Sequence, residues 1–259
     1  MMRRTLPLLA VVLSIASGSM RATPPTPVIV ELFTSEGCSD CPPADGLLEK
    51  LVTTQPVTGA EIIGLGQHVD YWDRLGWKDR FSSAALTSRQ QVYQARFGTD
   101  SIYTPQMVVD GRAEFVGSDA GAARKAIERT LTAAHGVVTV TLGPGEGALH
   151  VAITVSDLPA FDRRDRADII VLVTERGLRT EVKRGENHGR TLAHAPVVRY
   201  LATVGHIADN AATTGSASAE IPLPADWQRD RLAVVAFVQQ ARGRTILASA
   251  SVPVKNARP

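Results

Sequence analysis

The stretch Val28-Ile-Val-Glu-Leu-Phe-Thr-Ser-Glu-Gly-Cys38-Ser-Asp-Cys41-Pro-Pro-Ala-Asp45 decides the predicted fold of this chain. Its first six residues are mostly apolar and rich in β-branched side chains, which is typical of a strand buried on both faces. Proline is tolerated in the first turn of a helix, and the apolar residues after Cys41 recur at helical spacing: Leu47, Leu48, Leu51 and Val52. The pattern predicts a strand, a CxxC loop and a helix, with Cys38 near the helix N-terminus.

The next part of the chain continues this alternation of strands and helices. A strand is predicted at Glu61–Gly66 and a helical insertion at residues 72–97. After Thr104-Pro105, two short apolar runs flank Asp110-Gly111, which is a strong hairpin signal. A closing helix completes the order β-α-β-α-β-β-α, which predicts an α/β domain over residues 27–135.

The second half of the chain changes character after Gly136. Short strand-like runs alternate there with turns such as Gly143-Pro144-Gly145, and helical periodicity is nearly absent. The clearest runs are Val137–Leu142, Leu149–Val155, Ile169–Thr174, Leu232–Gln239 and Ile246–Val254. This pattern predicts an antiparallel β-sandwich over residues 137–255, with the domain boundary near 135–137.

Residues 1–22 are predicted to be a secretory signal peptide. Arg3 and Arg4 form a positive start, Leu6–Ile15 is apolar, and small residues follow. The apolar run is about half as long as the roughly 20 residues that a membrane-spanning helix needs. We therefore expect the mature chain to be periplasmic or secreted, with no membrane span. An oxidising compartment of this kind permits the two cysteines of the chain to pair.

Composition and charge exclude several classes of function. The chain has 259 residues, of which 44% are hydrophobic and 21% charged, as in a globular protein with a core. The whole chain has 28 basic residues, and removing the three arginines of the leader leaves 25, against 26 acidic residues. A chain this close to neutral lacks the net positive charge that attracts proteins to the phosphate backbone of DNA or RNA. Aromatic residues make up only 5%, too few for base-stacking platforms.

The CxxC motif indicates redox chemistry. A thiolate at a helix N-terminus faces free backbone N–H groups and the positive end of the helix dipole, and both lower its pKa. We expect Cys38 to be the exposed attacking thiol and Cys41 the resolving thiol that closes the disulfide. The intervening Asp40 should partly offset the stabilisation of the thiolate. The pair is therefore predicted to be less oxidising than one with neutral or basic intervening residues.

Four segments carry a resemblance to a known family: ELFTSEGCSDCPPAD at 31–45, HVDYWDRLGWKDRFSS at 68–83, YTPQMVVDGR at 103–112 and GENHGRTLAHAPVVRYL at 185–201. Together they resemble the exported thioredoxin-like family called domain of unknown function 1223, within the thioredoxin superfamily. The resemblance covers nearly the whole mature chain. It implies an α/β thioredoxin-like domain at 27–135, with the helical insertion at 72–97, followed by an all-β, antiparallel sandwich-like domain at 137–255.

The same resemblance implies roles for three further residues. Pro105 would form a cis-proline loop beside the disulfide and, with Thr104, contribute to substrate binding. Glu31 interrupts the apolar strand at a place where related folds hold a buried acid. A desolvated carboxyl there would have a raised pKa and could act as a base on Cys41. The alternative for Glu31 is a side chain at the strand edge that points to solvent.

The histidines are not predicted to form a metal site. His68 belongs to a polar and aromatic group that could line a substrate groove or hold a metal, but closing the end of the sheet is the favoured interpretation. His188 and His194 are not joined by a carboxylate or cysteine at suitable spacing. A zinc or copper site at the CxxC motif would need further ligands, and His68 and His135 are the only histidines in that half of the chain. We expect neither metal nor cofactor.

These observations favour an exported thiol–disulfide oxidoreductase. Its substrates would be protein or small-molecule thiols and disulfides, with Cys38 as nucleophile and Cys41 as resolving thiol. Two other interpretations stay open. One is a non-enzymatic protein that binds a partner or senses redox state, and the other is a copper-delivery protein whose reduced dithiol ligates the metal.

Overall fold

The computed structural model of the protein describes residues 24–144, 147–208, 210 and 212–254. The α-helices of this part are α1 (Pro42–Thr54), α2 (Ala84–Phe97) and α3 (Ala120–Thr130), and 3-10 turns lie at Asp73–Leu75 and Arg229–Arg231. The strands are β1 (Thr26–Thr34), β2 (Ala60–His68), β3 (Gln106–Val109), β4 (Ala113–Val116), β5 (Val137–Pro144), β6 (Ala148–Ser156), β7 (Ala167–Glu175), β8 (Arg179–Glu181), β9 (Thr191–Ala193), β10 (Val197–Ile207), β11 (Gly215–Pro222), β12 (Leu232–Gln240) and β13 (Ile246–Pro253).

Strand β1 and helix α1 form as the sequence predicts. β1 lies between β2, to which it is parallel, and β3, to which it is antiparallel. Successive side chains of a strand point to opposite faces of the sheet. Val28, Val30 and Leu32 accordingly pack against α1 and α3, whereas Ile29 and Phe33 pack on the other face, which α2 covers. The loop between β1 and α1 is thereby held at the end of a central strand.

Strands from both halves of the chain join in one mixed eight-stranded sheet, in the order β13-β12-β7-β10-β2-β1-β3-β4. The junction is at β2 and β10, where the Gly66 N–H donates to Pro196 O at 2.7 Å and Val197 aligns with Gly66. The predicted fold class, a thioredoxin-like α/β domain followed by a separate all-β domain, is therefore wrong. The described part of the chain is mostly β, built around this shared sheet.

Two physical features explain the shared sheet. A sheet confined to the first half would leave the edge of β2 with unpaired N–H and C=O groups, and β10 covers that edge. Gly66 permits the close approach, since a Cβ there would lie 3.1 Å from Pro196 O. In addition, all but one residue of β7 are buried. Such a strand needs protein on both faces, unlike a sandwich strand with one face in solvent.

The other strands of the second half form a smaller sheet, in the order β11-β6-β5. Burial alternates along β6, as the sequence pattern indicated. Apolar side chains of this sheet pack against β7, β12 and β13 and form the largest cluster of buried apolar residues. The predicted domain limits, 27–135 and 137–255, stay a prediction. The eight-stranded sheet contains strands from both ranges.

The helical insertion and the leader complete the comparison with the sequence. Within residues 72–97, the structure has the 3-10 turn at Asp73–Leu75 and the helix α2. The predicted signal peptide at 1–22 lies outside the described residues. Among the described helices, none is both long enough and apolar enough to cross a membrane.

Candidate functional site

The two cysteines form a disulfide immediately before α1. The Cα atoms of Cys38 and Cys41 are 5.4 Å apart, as is usual for disulfides. Cys41 is the N-cap residue of α1, and its carbonyl accepts the N–H groups of Ala44 and Asp45. The positive end of a helix stabilises a thiolate. Cys41 is therefore the cysteine placed directly at the helix start, and Cys38 lies three positions before it.

A loop from the second half of the chain covers the disulfide, and we call residues 185–189 the cover loop. The Asn187 side-chain amide donates to two backbone carbonyls, one of them that of Cys38 at 2.9 Å. The Ser39 N–H donates to the Glu186 carboxylate at 3.0 Å. Both cysteines are only 1% exposed. The prediction that Cys38 is exposed is therefore wrong for this conformation, because the cover loop closes over it.

Thr104 and Pro105 lie next to the disulfide loop. The peptide bond between them is cis, as the family resemblance implied. Trp72 connects them to the loop: its Nε1 donates to Thr104 Oγ1 at 2.8 Å, and a Cβ on Gly37 would lie 3.2 Å from Trp72 Cβ. The structure therefore brings these two predicted residues close to the CxxC motif, while their role in substrate binding stays a prediction.

Glu31 lies on the opposite face of the sheet, in a group that we call the Arg89 cluster: Glu31, Gln67, Arg89, Tyr93 and Gln239. The Arg89 guanidinium binds the Glu31 carboxylate at both oxygens, with distances of 2.5 and 2.9 Å. Tyr93 and Gln67 also donate to this carboxylate. Gln239, from the second half of the chain, accepts from Arg89 at 3.0 Å and donates to Tyr93 at 2.8 Å.

The electrostatics of the Arg89 cluster are those of a buried ion pair. Burial by itself would lower the pKa of Arg89, but the Glu31 carboxylate outweighs it and the pKa is raised. Burial raises the pKa of Tyr93 far above its usual range. Glu31 is fully buried, so the alternative of a solvent-facing side chain is wrong. Its carboxylate is bound by Arg89 rather than directed at Cys41, and the structure does not bring the two together.

Three other buried side chains meet on the α1 side of the sheet, and we call Asp45, His68 and His194 the histidine cluster. Asp45 lies on α1, His68 ends β2 and His194 follows β9. One potential ligand atom from each residue lies within 4.8 Å of the other two. The two imidazole rings are 5.1 Å apart and edge-on. All three residues are at most 6% exposed.

Neighbouring groups fix the orientation of this cluster. His68 Nδ1 lies 2.6 Å from Asp79 Oδ2, and Asp79 itself accepts backbone N–H groups at 2.9 Å. The Thr34 hydroxyl donates to Asp45 Oδ2 at 2.6 Å. His194 Nε2 lies 3.3 Å from Glu36 Oε1. The histidine cluster thus has carboxylates on several sides.

Burial and charge act in opposite directions on the pKa values of the cluster. Burial raises the pKa of Asp45, and the nearby histidines offset this only in part. Burial also acts to lower the pKa of His68, but the Asp79 carboxylate outweighs it and the net change is upward. For Asp79, burial acts upward and His68 prevails, so its pKa is lowered. His68 and Asp79 thus each favour the charged form of the other, whereas the neighbouring Asp45 carboxyl resists ionisation.

A small cavity separates the histidine cluster from the disulfide. Cys41 lines it together with the three cluster residues, and its volume of about 10 Å³ suits one water-sized occupant. Asp45 Oδ1 and His68 Nε2 are buried and have no hydrogen-bond partner among the described residues. Buried polar atoms without a partner are uncommon and call for an occupant or a chemical role.

The histidine cluster is the candidate site that the sequence did not predict. His68 and His194 are far apart in sequence, and the carboxylates nearest to His68 along the chain, Asp70 and Asp73, are not the one that joins it in the cluster. They become neighbours because β10, which follows His194 closely, pairs with β2, which ends at His68. Two sequence signals pointed toward it: His68 belongs to a polar group that could hold a metal, and HVDYWDRLGWKDRFSS and GENHGRTLAHAPVVRYL are both among the segments that carry the family resemblance.

A comparison with models of protein families identifies the family of the chain. The family model described as "Protein of unknown function (DUF1223)" matches residues 29–239. The chain belongs to the DUF1223 family. The matched segment of this DUF1223 protein contains the disulfide, the cover loop and both buried clusters. No curated protein matches the chain.

Several solved protein chains resemble this DUF1223 protein, and one of them does so over nearly its whole length. It is the X-ray crystal structure of the protein AGR_C_4864 from Agrobacterium tumefaciens, with 26% sequence identity and a TM-score of 0.67. The similarity covers 92% of this chain and 99% of that one. The shared fold therefore includes strands from both halves of the chain.

Proposed function

We propose that this DUF1223 protein performs thiol–disulfide exchange, with Cys38 and Cys41 as its redox couple. The observation that carries the proposal is the disulfide between them, at the start of α1. Only two residues separate the cysteines, so the cross-link gains little stability from closing a loop. A disulfide with a weak structural purpose, at a helix end that stabilises a thiolate, is well suited to being broken and re-formed.

The proposed reaction transfers two electrons. A substrate thiolate attacks one cysteine sulfur, a mixed disulfide forms, and the Cys38–Cys41 bond breaks with the other cysteine leaving as a thiolate. A second thiolate of the substrate attacks the mixed disulfide and releases the remaining cysteine. The substrate leaves as a disulfide, and the two protons lost by its thiols end on the two cysteines. The reverse sequence reduces a substrate disulfide.

The surroundings of the two sulfurs differ and support separate roles. The cover loop is hydrogen-bonded to the Cys38 carbonyl, and we assign Cys38 as the sulfur that meets a substrate when this loop moves. Cys41 is the N-cap of α1 and lines the cavity shared with His68 and His194. It is therefore the better leaving thiolate, with titratable groups nearby to accept or return its proton.

The cover loop sets a condition for this reaction. Three hydrogen bonds, two from Asn187 and one to Glu186, hold it on the disulfide loop. At about 1 kcal/mol each, they would keep the open form at about 1% or less of the population. Exchange is therefore expected to proceed through a minor open state, at a rate proportional to its population.

Trapping of mixed disulfides tests the proposal. In the full chain, Cys41→Ser leaves Cys38 as a free thiol, and we expect it to attack disulfide-containing proteins, releasing one of their sulfurs as a thiolate and forming mixed disulfides that dithiothreitol releases. The Cys38→Ser/Cys41→Ser double variant is the matched control and should give none. Absence of adducts from Cys41→Ser, even when it is combined with Asn187→Ala to open the cover loop, would contradict the proposal.

We also propose that the protein is exported. The support is the sequence of residues 1–22, with Arg3 and Arg4 before the apolar run Leu6–Ile15. An oxidising compartment would maintain the disulfide. Fractionation of the native host and mass spectrometry of the intact protein test this. A chain found in the periplasm or medium without its leader supports export, and a full-length chain confined to the cytoplasm contradicts it.

A further inference from the structure

We propose that the histidine cluster is a metal site, in which Asp45, His68 and His194 bind one divalent transition cation of the Zn²⁺ or Fe²⁺ type. The proposal does not rest on thiol–disulfide exchange, since none of the three ligands is a cysteine. Two imidazoles and one carboxylate form a common protein donor set for these cations. Mg²⁺ and Ca²⁺ prefer oxygen ligands only and fit the set less well.

Two of the three proposed ligand residues, Asp45 and His68, present unpartnered atoms to a metal, whereas Nε2 of His194 lies 3.3 Å from both Glu36 Oε1 and Thr180 Oγ1. His68 Nδ1 contacts Asp79 at 2.6 Å, so that the ring can donate there and leave Nε2 as a lone-pair donor toward the cavity. Nε2 is buried and has no partner in the described structure, and the same holds for Asp45 Oδ1. Metal-binding histidines characteristically donate their other ring nitrogen to a carboxylate, which fixes the tautomer and the ring orientation. Asp79 is placed for that supporting role.

The size and charge of the site agree with a cation. The ligand atoms lie within 4.8 Å of one another. Bonds of about 2.0–2.2 Å to one tetrahedral ion would place them roughly 3.3–3.6 Å apart, so the side chains must draw together by about 1 Å when the ion binds. The cavity between them has a volume of about 10 Å³, room for one small occupant. The Asp79 and Glu36 carboxylates lie beside the His68 and His194 rings, so a cation bound between the rings has negatively charged groups on more than one side.

Metal titration of the oxidised full chain tests the site. The protein is stripped with EDTA, dialysed and titrated with Zn²⁺, and Co²⁺ serves as an absorbance probe of the coordination. We expect one Zn²⁺ per chain, a rise in Tm on binding, and Co²⁺ d–d bands without a thiolate charge-transfer band. Because the site is buried, metal is added both to the folded chain and during refolding.

Variants assign the ligands. His68→Gln and His194→Gln should each weaken Zn²⁺ binding at least tenfold, and Asp79→Asn should weaken it about 10–100-fold through the orientation of His68. His150→Gln changes an exposed histidine paired with Glu220 and should bind as the wild type does. The Cys38→Ser/Cys41→Ser variant should also retain binding, which separates this site from a dithiol site.

Three results would overturn the proposal. The first is that no Zn²⁺ binds under either loading condition. The second is that His68→Gln and His194→Gln bind Zn²⁺ with the affinity of the wild type. The third is that only the double cysteine variant loses binding. If a histidine variant fails to fold, X-ray absorption of the Zn²⁺-loaded wild type decides. A shell of nitrogen and oxygen ligands with two imidazoles supports the site, and a sulfur shell contradicts it.

Discussion

The two faces of the sheet around β1 and β2 each carry a cluster of buried polar groups, and the clusters differ in whether their ionisable groups are all paired. In the Arg89 cluster the amide oxygen Gln67 Oε1 has no partner among the described residues, but every ionisable group has one. In the Arg89 cluster, both oxygens of Glu31 are bound by Arg89, and Gln239 links Arg89 to Tyr93. In the histidine cluster, Asp45 Oδ1 and His68 Nε2 are left without partners beside a small cavity.

This difference separates structure from function. A buried network in which every charge has its counter-charge fixes the packing of the elements that contribute to it. For the Arg89 cluster those elements are β1, β2, α2 and β12. A network whose buried polar atoms lack hydrogen-bond partners and lie beside an enclosed cavity can still bind a ligand or exchange protons. We therefore assign the Arg89 cluster to the fold and the histidine cluster to the chemistry of the site.

The largest expected effect comes from breaking the Arg89 cluster. Arg89→Met leaves the Glu31 carboxylate buried without a counter-charge, and removing one partner of a buried ion pair costs about 3–5 kcal/mol of unfolding free energy. Urea denaturation measures it. Arg124→Met is the matched control, because Arg124 pairs with Glu128 on an exposed helix face and should cost about 0.5 kcal/mol or less. A loss below about 1 kcal/mol for Arg89→Met would show that the cluster does not hold the fold.

An intermediate effect is expected at the cover loop, which in this comparison is grouped with the histidine cluster. Asn187→Ala removes two hydrogen bonds to the disulfide loop, worth about 2 kcal/mol, and should speed reduction by dithiothreitol by about tenfold or more. Thiol release followed by quenching and mass spectrometry gives the rate. His188→Ala, at an exposed residue of the same loop, should leave the rate unchanged. An unchanged rate for Asn187→Ala would mean that the loop does not limit access.

The smallest expected effect concerns the charge of Asp45. Because burial raises the pKa of Asp45 in the folded state, this carboxyl favours the fold at low pH, and that contribution is lost as the pH rises through the raised pKa. Asp45→Asn cannot ionise. Its stability relative to the wild type, measured in EDTA, should therefore increase as the pH rises from about 4.

Urea denaturation at several pH values between 4 and 7.5 provides the test. Asp40→Asn, at an exposed residue of the CxxC loop, is the matched control and should show only a small change with pH. A stability difference for Asp45→Asn that falls with rising pH would contradict the assignment, since it would mean that the fold favours the ionised carboxylate.

Local patterns in the sequence predicted the elements of the first half well and their assembly poorly. The apolar run Val28–Phe33 and the proline-led helix after Cys41 are short-range signals, and the structure contains both. The pairing of β2 with β10 is a long-range choice that no local period encodes. It was indicated only indirectly, by the continuous apolar run of β7, which suits a strand covered on both faces.

The candidate site was likewise predictable where its residues are close in sequence, and not where they come from distant parts of the chain. The CxxC motif and Thr104-Pro105 are readable in sequence because each is compact. The acid nearest the cysteines was sought at Glu31, but alternation along β1 turns that side chain to the α2 face. Asp45 lies on the correct face because it is on α1. His194 and Asn187 come from the second half of the chain, so their part in the site depends on the long-range pairing.

The reduction potential of the Cys38–Cys41 pair tests the central claim most directly. The protein is equilibrated in glutathione buffers of defined ratio, quenched with acid and quantified as dithiol and disulfide by mass spectrometry. Thiol–disulfide exchange predicts a reversible two-electron equilibrium with a potential between about −270 and −180 mV, in the range of known exchange proteins. A pair that stays oxidised, with a potential below about −300 mV, would be a structural disulfide and would contradict the proposed function.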